Sequence, residues 1–300
     1  MSDELVILQN EHLEVGIAPF CGGSLAYLRT KGEAPFDLLR PASATALQKK
    51  DPNGMAMFPM LPFTHRIKGG KFTYWGITRQ VPVNQAGIPD PIHGDGWKTA
   101  WTVQNKTSTS VTLAMKHDKS EKGYPFSYEA ELIYTLDGDI LKTTVVLKNT
   151  SVLPMPCGIG LHPFFVKTPN ITLRFGTKNV WSHLDDPIDR PYKTPAEWSF
   201  ETPREIKDAE FDTCFGGFDG TAEVIWPKFK KAVEMRSDEV FNHVVLYTPP
   251  RKNFVCLEPT TMANNAFNLA SEGIVGTGIQ SIGPNETISG SVTFTVRELQ

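Results

Sequence analysis

Residues 128–147 read YEAELIYTLDGDILKTTVVL. Apolar and polar side chains alternate along both halves, which is the period of a strand with one buried face. Asp137 and Gly138 lie between the halves and supply the positive φ that a two-residue hairpin turn requires. A slip of one residue would turn every buried side chain outward, so the pattern fixes an antiparallel pair together with its register. The same grammar recurs from end to end. LVILQ, LEVGIA, SLAYLRT, AWTV, VTLAMKH, AEVIWP, KAVEMRS, HVVLYTP, FVCLEP and SVTFTVRE are short and rich in β-branched and aromatic residues, with Gly and Pro clusters between them. Helical periodicity is nearly absent; EFDTCF (210–215) and ANNAFNLA (263–270) allow a turn or two. A length of 300 residues would permit two domains, but large β domains reach this size. With no low-complexity linker and no fixed-period repeat, residues 1–300 read as a single, predominantly antiparallel β domain.

Charge and cysteine usage narrow the function classes. A formal net charge of −3, without a long basic block, argues against nucleic acid or an anionic membrane as partner. No apolar run approaches the length of a spanning helix, and MSDELVILQN lacks the basic and apolar regions of a signal peptide. Cys21, Cys157, Cys214 and Cys256 are scattered and form no CxxC pair, so zinc ribbons and dithiol redox work are disfavoured. The expectation is a cytoplasmic protein with reduced thiols, monomeric or homodimeric, acting on a small molecule.

Four stretches gather chemistry. LPFTHRIKGGKFTYWG (61–76) sets His65 and Arg66 before a Gly-Gly turn, and PIHGDGW (91–97) sets His93 before two glycines and Trp97. GIGLHPFF (158–165) locks His162 in front of Pro163, which holds that histidine extended. VCLEPTT (255–261) puts Glu258 at the end of an apolar strand, with Pro259 expected to end its hydrogen bonding. Each has a plainer reading when taken singly. Arg66 can pair with a surface carboxylate, His93 can cap a loop, Glu258 can be a strand-end charge, and Trp97 and Phe164 can be core.

Their order changes the weighing. HRIKGGKFTYWG, IHGDGW, GLHPFF, FDTCF and LEPTT, followed by GPNETISGSVTFTV near the C-terminus, together resemble the aldose 1-epimerase (galactose mutarotase) family over nearly the whole chain. The resemblance implies an all-β fold, a large antiparallel β-supersandwich with few short helices. It implies interconversion of the α and β anomers of a free aldose by ring opening, C1–C2 rotation and closure on the other face. A base takes the C1 hydroxyl proton while an acid serves the ring oxygen, so neither cofactor nor metal is called for. By the same resemblance Glu258 is the base, His162 the acid, and His93 a third catalytic group near the ring oxygen. Arg66, Asp212, His65 and Trp97 would bind the sugar. The acid is expected to start protonated and the base ionised, each favouring the other's charge.

Two points depart from the family pattern. His65 stands where the family carries Asn, and Asp219 in GFDG competes with Asp212 for the role of sugar-binding aspartate. Three alternatives stay open. A hexose-phosphate mutarotase would need a cationic pocket, for which Lys68, Lys71 and Arg79 are candidates. A glycoside hydrolase would need paired carboxylates. A non-catalytic carbohydrate-binding protein would not need both Glu258 and His162.

Overall fold

The computed structural model describes residues 3–120, 123–183, 190–207 and 210–300. Among them, strands dominate and assemble two large antiparallel sheets of eleven and nine strands, with two small two-stranded ribbons at the side. The hairpin read from the sequence forms with its turn one residue later than read: Gly138 and Asp139 make the turn, Asp137 faces Ile140, and Tyr128 faces Asn149 at the open end. It lies inside the nine-stranded sheet, flanked by Ser110–His117 and by Thr287–Glu298. Its alternation is what lets one face be buried, and Tyr128, Ala130, Leu132, Tyr134 and Leu136 are all core.

The two sheets close on one contiguous apolar core, to which Val15, Leu25 and Leu28 come from one sheet and Leu113, Leu132 and Val145 from the other. Tyr134 crosses the interior to donate a hydrogen bond to the Gly23 carbonyl at 2.8 Å. This is the β-sandwich that the family resemblance implies. Among the described residues two α-helices interrupt it, Ala44–Lys49 and Ala266–Ser271. The first is capped by Ser43, whose hydroxyl accepts from the Ala46 N–H. The second falls within ANNAFNLA, as read. No helix among the described residues is long and apolar enough to cross a membrane, and the four cysteines are free and buried.

Two local expectations fail. EFDTCF is not a helical turn: Asp212–Gly216 is a strand paired with His243–Tyr247. Pairing decides it, and the neighbour that selects the strand lies far along the chain. Nor does Pro259 end its strand, because Phe254–Thr260 runs through it with Pro259 opposite Val244. Both neighbouring strands are already fixed by long apolar ladders, so one missing N–H is tolerated.

The eleven-stranded sheet positions the site through the two-residue period of its strands. Gly160–Val166, Phe254–Thr260, His243–Tyr247 and Asp212–Gly216 lie side by side. Leu161, Val255, Leu257, Val244, Leu246 and Phe215 point into the sandwich core. The alternate residues, His162, Glu258, Val245, Tyr247, Asp212 and Cys214, therefore share the opposite face, where all six line one cleft.

Candidate active site

The cleft measures about 830 Å³, counting its open mouth, and its wall is completed by His65, Arg66, Ile92, His93 and Asn264. At its floor the pairs Gly160–Thr260 and Phe164–Cys256 put His162 directly across from Glu258. His162 Nε2 lies 3.2 Å from Glu258 Oε1. The two side chains are 8 % and 2 % exposed. The imidazole is clasped between Phe58 and Phe164, with both ring centroids 4.4 Å away. Proline-locked backbone and aromatic faces together leave the ring one orientation.

Burial decides where the protons sit. It pushes the Glu258 carboxyl well above its ordinary value, with the nearby Asp212 charge adding to the shift. It pushes the His162 imidazole down to about 3. Both shifts run against the expected imidazolium beside carboxylate, since burial disfavours the charged form of each group. A protonated carboxyl beside a neutral imidazole holds the same single proton as the ion pair, without two buried charges. The two forms differ by one proton transfer along the 3.2 Å contact.

His65 and His93 approach from loops. Both take left-handed backbone angles, φ 57° and 59°, and they clasp each other: His93 N–H donates to the His65 carbonyl at 2.9 Å, and His65 N–H donates to His93 Nδ1 at 3.3 Å. With Nδ1 accepting, the His93 proton resides on Nε2, so the neutral ring is a hydrogen-bond donor. The Thr260 hydroxyl donates to the Met262 carbonyl, so it accepts from His65 Nε2, which fixes that tautomer as well. Burial lowers His65 to about 3 and holds His93 well below its ordinary value, with neighbouring positive groups adding to both shifts. The turn that delivers His93 depends on Gly94. At φ 69° a side chain there would put its Cβ 2.0 Å from the Leu61 carbonyl oxygen. Asn84 ties the turn down through the Ile92 and Gly94 carbonyls, and Asp95 anchors it to His117 at 2.6 Å and to the Tyr128 hydroxyl.

Arg66 lines the cleft beside them. Its N–H donates to the Asn264 side chain, and its carbonyl accepts from Asn265. The competition between the two aspartates resolves by position. Asp212 lines the cleft, whereas Asp219 accepts from the Thr221 N–H in a loop near Gly176. Trp97 needs correcting: it is 0 % exposed and packs behind Phe58 and His93, with its indole N–H on the Gly94 carbonyl. It backs the wall of the cleft and presents no face to a ligand. Tyr247, Ser182 and Asn264 line the cleft and were not singled out in the sequence, where none carries a motif of its own.

The family model described as Aldose 1-epimerase matches residues 4–295. The Escherichia coli (strain K12) protein YphB is 22 % identical over 276 residues, covering 87 % of this chain and 89 % of YphB. Galactose mutarotase of Mus musculus is 28 % identical over 162 residues, 46 % of this chain and 44 % of that protein. Among solved structures, a putative aldose 1-epimerase from Escherichia coli K12 superposes with a TM-score of 0.88 at 21 % identity, covering 98 % of this chain and 99 % of that one. Fold, site order and the match over nearly all its residues lead to one statement: the chain belongs to the aldose 1-epimerase family.

Proposed function

We propose that the protein is a mutarotase that interconverts the anomers of a free aldose by general acid–base catalysis. The observation that carries this reading is the His162–Glu258 contact of 3.2 Å at the floor of a cleft with further sugar-binding groups around it. The pair holds one proton in all, which is what ring opening needs: one group to accept the C1 hydroxyl proton and one to donate to the ring oxygen. Transfer of the shared proton from carboxyl to imidazole makes Glu258 the base and His162 the acid without uptake from solvent. After opening and C1–C2 rotation the roles reverse. His93, donating from Nε2, steadies the ring oxygen, and Arg66 and Asp212 hold hydroxyls. The name of the mouse relative, galactose mutarotase, lends further support.

The rival readings have less support. Arg66 is the cation among the described residues lining the cleft. Lys68 and Lys71 are exposed away from it, and the Arg79 guanidinium lies over Phe126 and donates to the Tyr74 and Ile77 carbonyls. A phosphate therefore meets little charge. A glycosidase would use Glu258 with a second carboxylate, which Asp212 in the same cleft could supply, but it would leave the His162–Glu258 contact without a role.

Polarimetry tests the proposal. Freshly dissolved α-glucose and α-galactose should each reach their usual final rotation faster with the protein than without it. Binding without acceleration would leave a carbohydrate-binding protein, and release of sugar from a glycoside would favour hydrolysis.

A further inference from the structure

The face that carries His162 and Glu258 also carries Cys256, two residues before Glu258 on the same strand and opposite Phe164. A ring nitrogen of His162, the Cys256 sulfur and a Glu258 oxygen lie within 4.8 Å of one another, all three residues buried. The proposed sugar chemistry makes no use of the thiol. His162 Nδ1, moreover, is buried and has no hydrogen-bond partner among the described residues. Nitrogen, sulfur and carboxylate donors on three residues, with the remaining side open to a cleft, are the donor set of a zinc site that keeps one exchangeable position.

We propose that this trio is an inhibitory site for a thiophilic divalent cation of the Zn2+ type, which enters through the cleft and disables the proton-transfer pair. Bond lengths of about 2.0–2.3 Å to the three donors place donors about 3.5 Å apart in a tetrahedral site. The His162–Glu258 separation is already near that, and the widest separation has about 1 Å to close. Charge favours the exchange. The resting site holds one proton on the Glu258–His162 pair and one on the thiol. Binding expels both to solvent, forms three coordination bonds and changes no oxidation state. Two protons leave as one divalent ion enters, so the buried site stays neutral and no charge is left unpaired. Burial pushes the Cys256 thiol well up, with the Arg40 guanidinium over the Phe164 and Phe254 rings opposing it only in part, so the bound cation itself must displace the thiol proton.

No metal-binding spacing is visible in the sequence because the donors come from strands far apart in the chain. The ligand set is created by pairing, not by a motif.

Co2+ added to the full-length protein is the direct test. It should give a thiolate-to-metal charge-transfer absorption that Zn2+ abolishes by competition. The band should vanish in Cys256→Ser and in Cys256→Ala, and persist in Cys214→Ser, whose thiol lines the same cleft. Either Cys256 variant suffices if the other fails to fold. An absent band in the unmodified protein, or a band that survives loss of the Cys256 thiol, overturns the site. A second arm rests on the mutarotase reading. Saturating Zn2+ should slow anomerisation by about 10²-fold or more, the usual cost of losing a positioned acid or base, while Cys256→Ser keeps both its basal rate and resistance to Zn2+. If the protein catalyses no anomerisation, the Co2+ spectrum still decides the metal site by itself.

Discussion

Acidification should unfold this protein through histidines that it buries in neutral form. His65 is held down to about 3 and His243 to about 4, chiefly by burial, against an ordinary value of 6.5. Both values are lower in the folded than in the unfolded chain, so the stability they allow is present above pH 6.5 and is lost as pH falls toward their folded values. At pH 5 each is still neutral when folded and protonated when unfolded, 1.5 pH units below the ordinary value. One pH unit per proton is worth about 1.4 kcal/mol, so each costs about 2 kcal/mol and the two together about 4 kcal/mol. Domains are commonly stable by about 5–15 kcal/mol, so this loss is a large share of the total. Urea unfolding followed by circular dichroism at pH 7, 6 and 5 measures it. His65→Asn tolerates the left-handed backbone and should flatten the pH 6-to-5 slope by about 1.4 kcal/mol per unit relative to the parent; His243→Asn should do the same. Equal stability at pH 7 and 5 would refute the argument, as would an unchanged slope in both variants.

Three further expectations concern the proposed catalysis. His162→Asn and Glu258→Gln should each lower the anomerisation rate by about 10²–10⁴-fold while circular dichroism and sugar binding persist; near-normal activity in either would remove that residue from the chemistry. Arg66→Ala should raise the sugar concentration needed for half-maximal rate more than it lowers the maximal rate, since its contact exists before the barrier as well as at it. Activity against pH should show a broad plateau with two limbs. The acidic limb marks a second proton entering the pair at lowered His162, and the alkaline limb marks the shared proton leaving raised Glu258. A sharp optimum centred near pH 5 would contradict that proton count.

The sequence disclosed which face of each strand is apolar more readily than which strands are neighbours. The 128–147 hairpin was legible to within one residue at its turn because its turn and both its faces are local. Asp212–Gly216 was not, since a strand whose partners are distant looks like any short apolar run. At the site, His65, Arg66, His93, His162, Asp212 and Glu258 were all found from ordered motifs, and the cleft gathers all six. What escaped was the contribution of surroundings. Trp97 lies behind the wall of the cleft, and both His162 and Glu258 are pushed away from their charged forms, because burial is a property of packing and leaves no mark on the motif itself.

The adjacency of Gly160–Val166 and Phe254–Thr260 also bears on how the protein comes to exist. About a third of the chain lies between His162 and Glu258, yet they face each other on neighbouring strands. Contacts so distant in sequence form only after a large loop has closed, and chains rich in them fold slowly. A nascent chain that has not yet emerged through residue 258 holds the imidazole without its carboxyl partner. Refolding followed by activity should therefore lag behind refolding followed by the local 128–147 hairpin. The candidate site should thus appear later than the local hairpin, and its appearance should report that the long loop has closed.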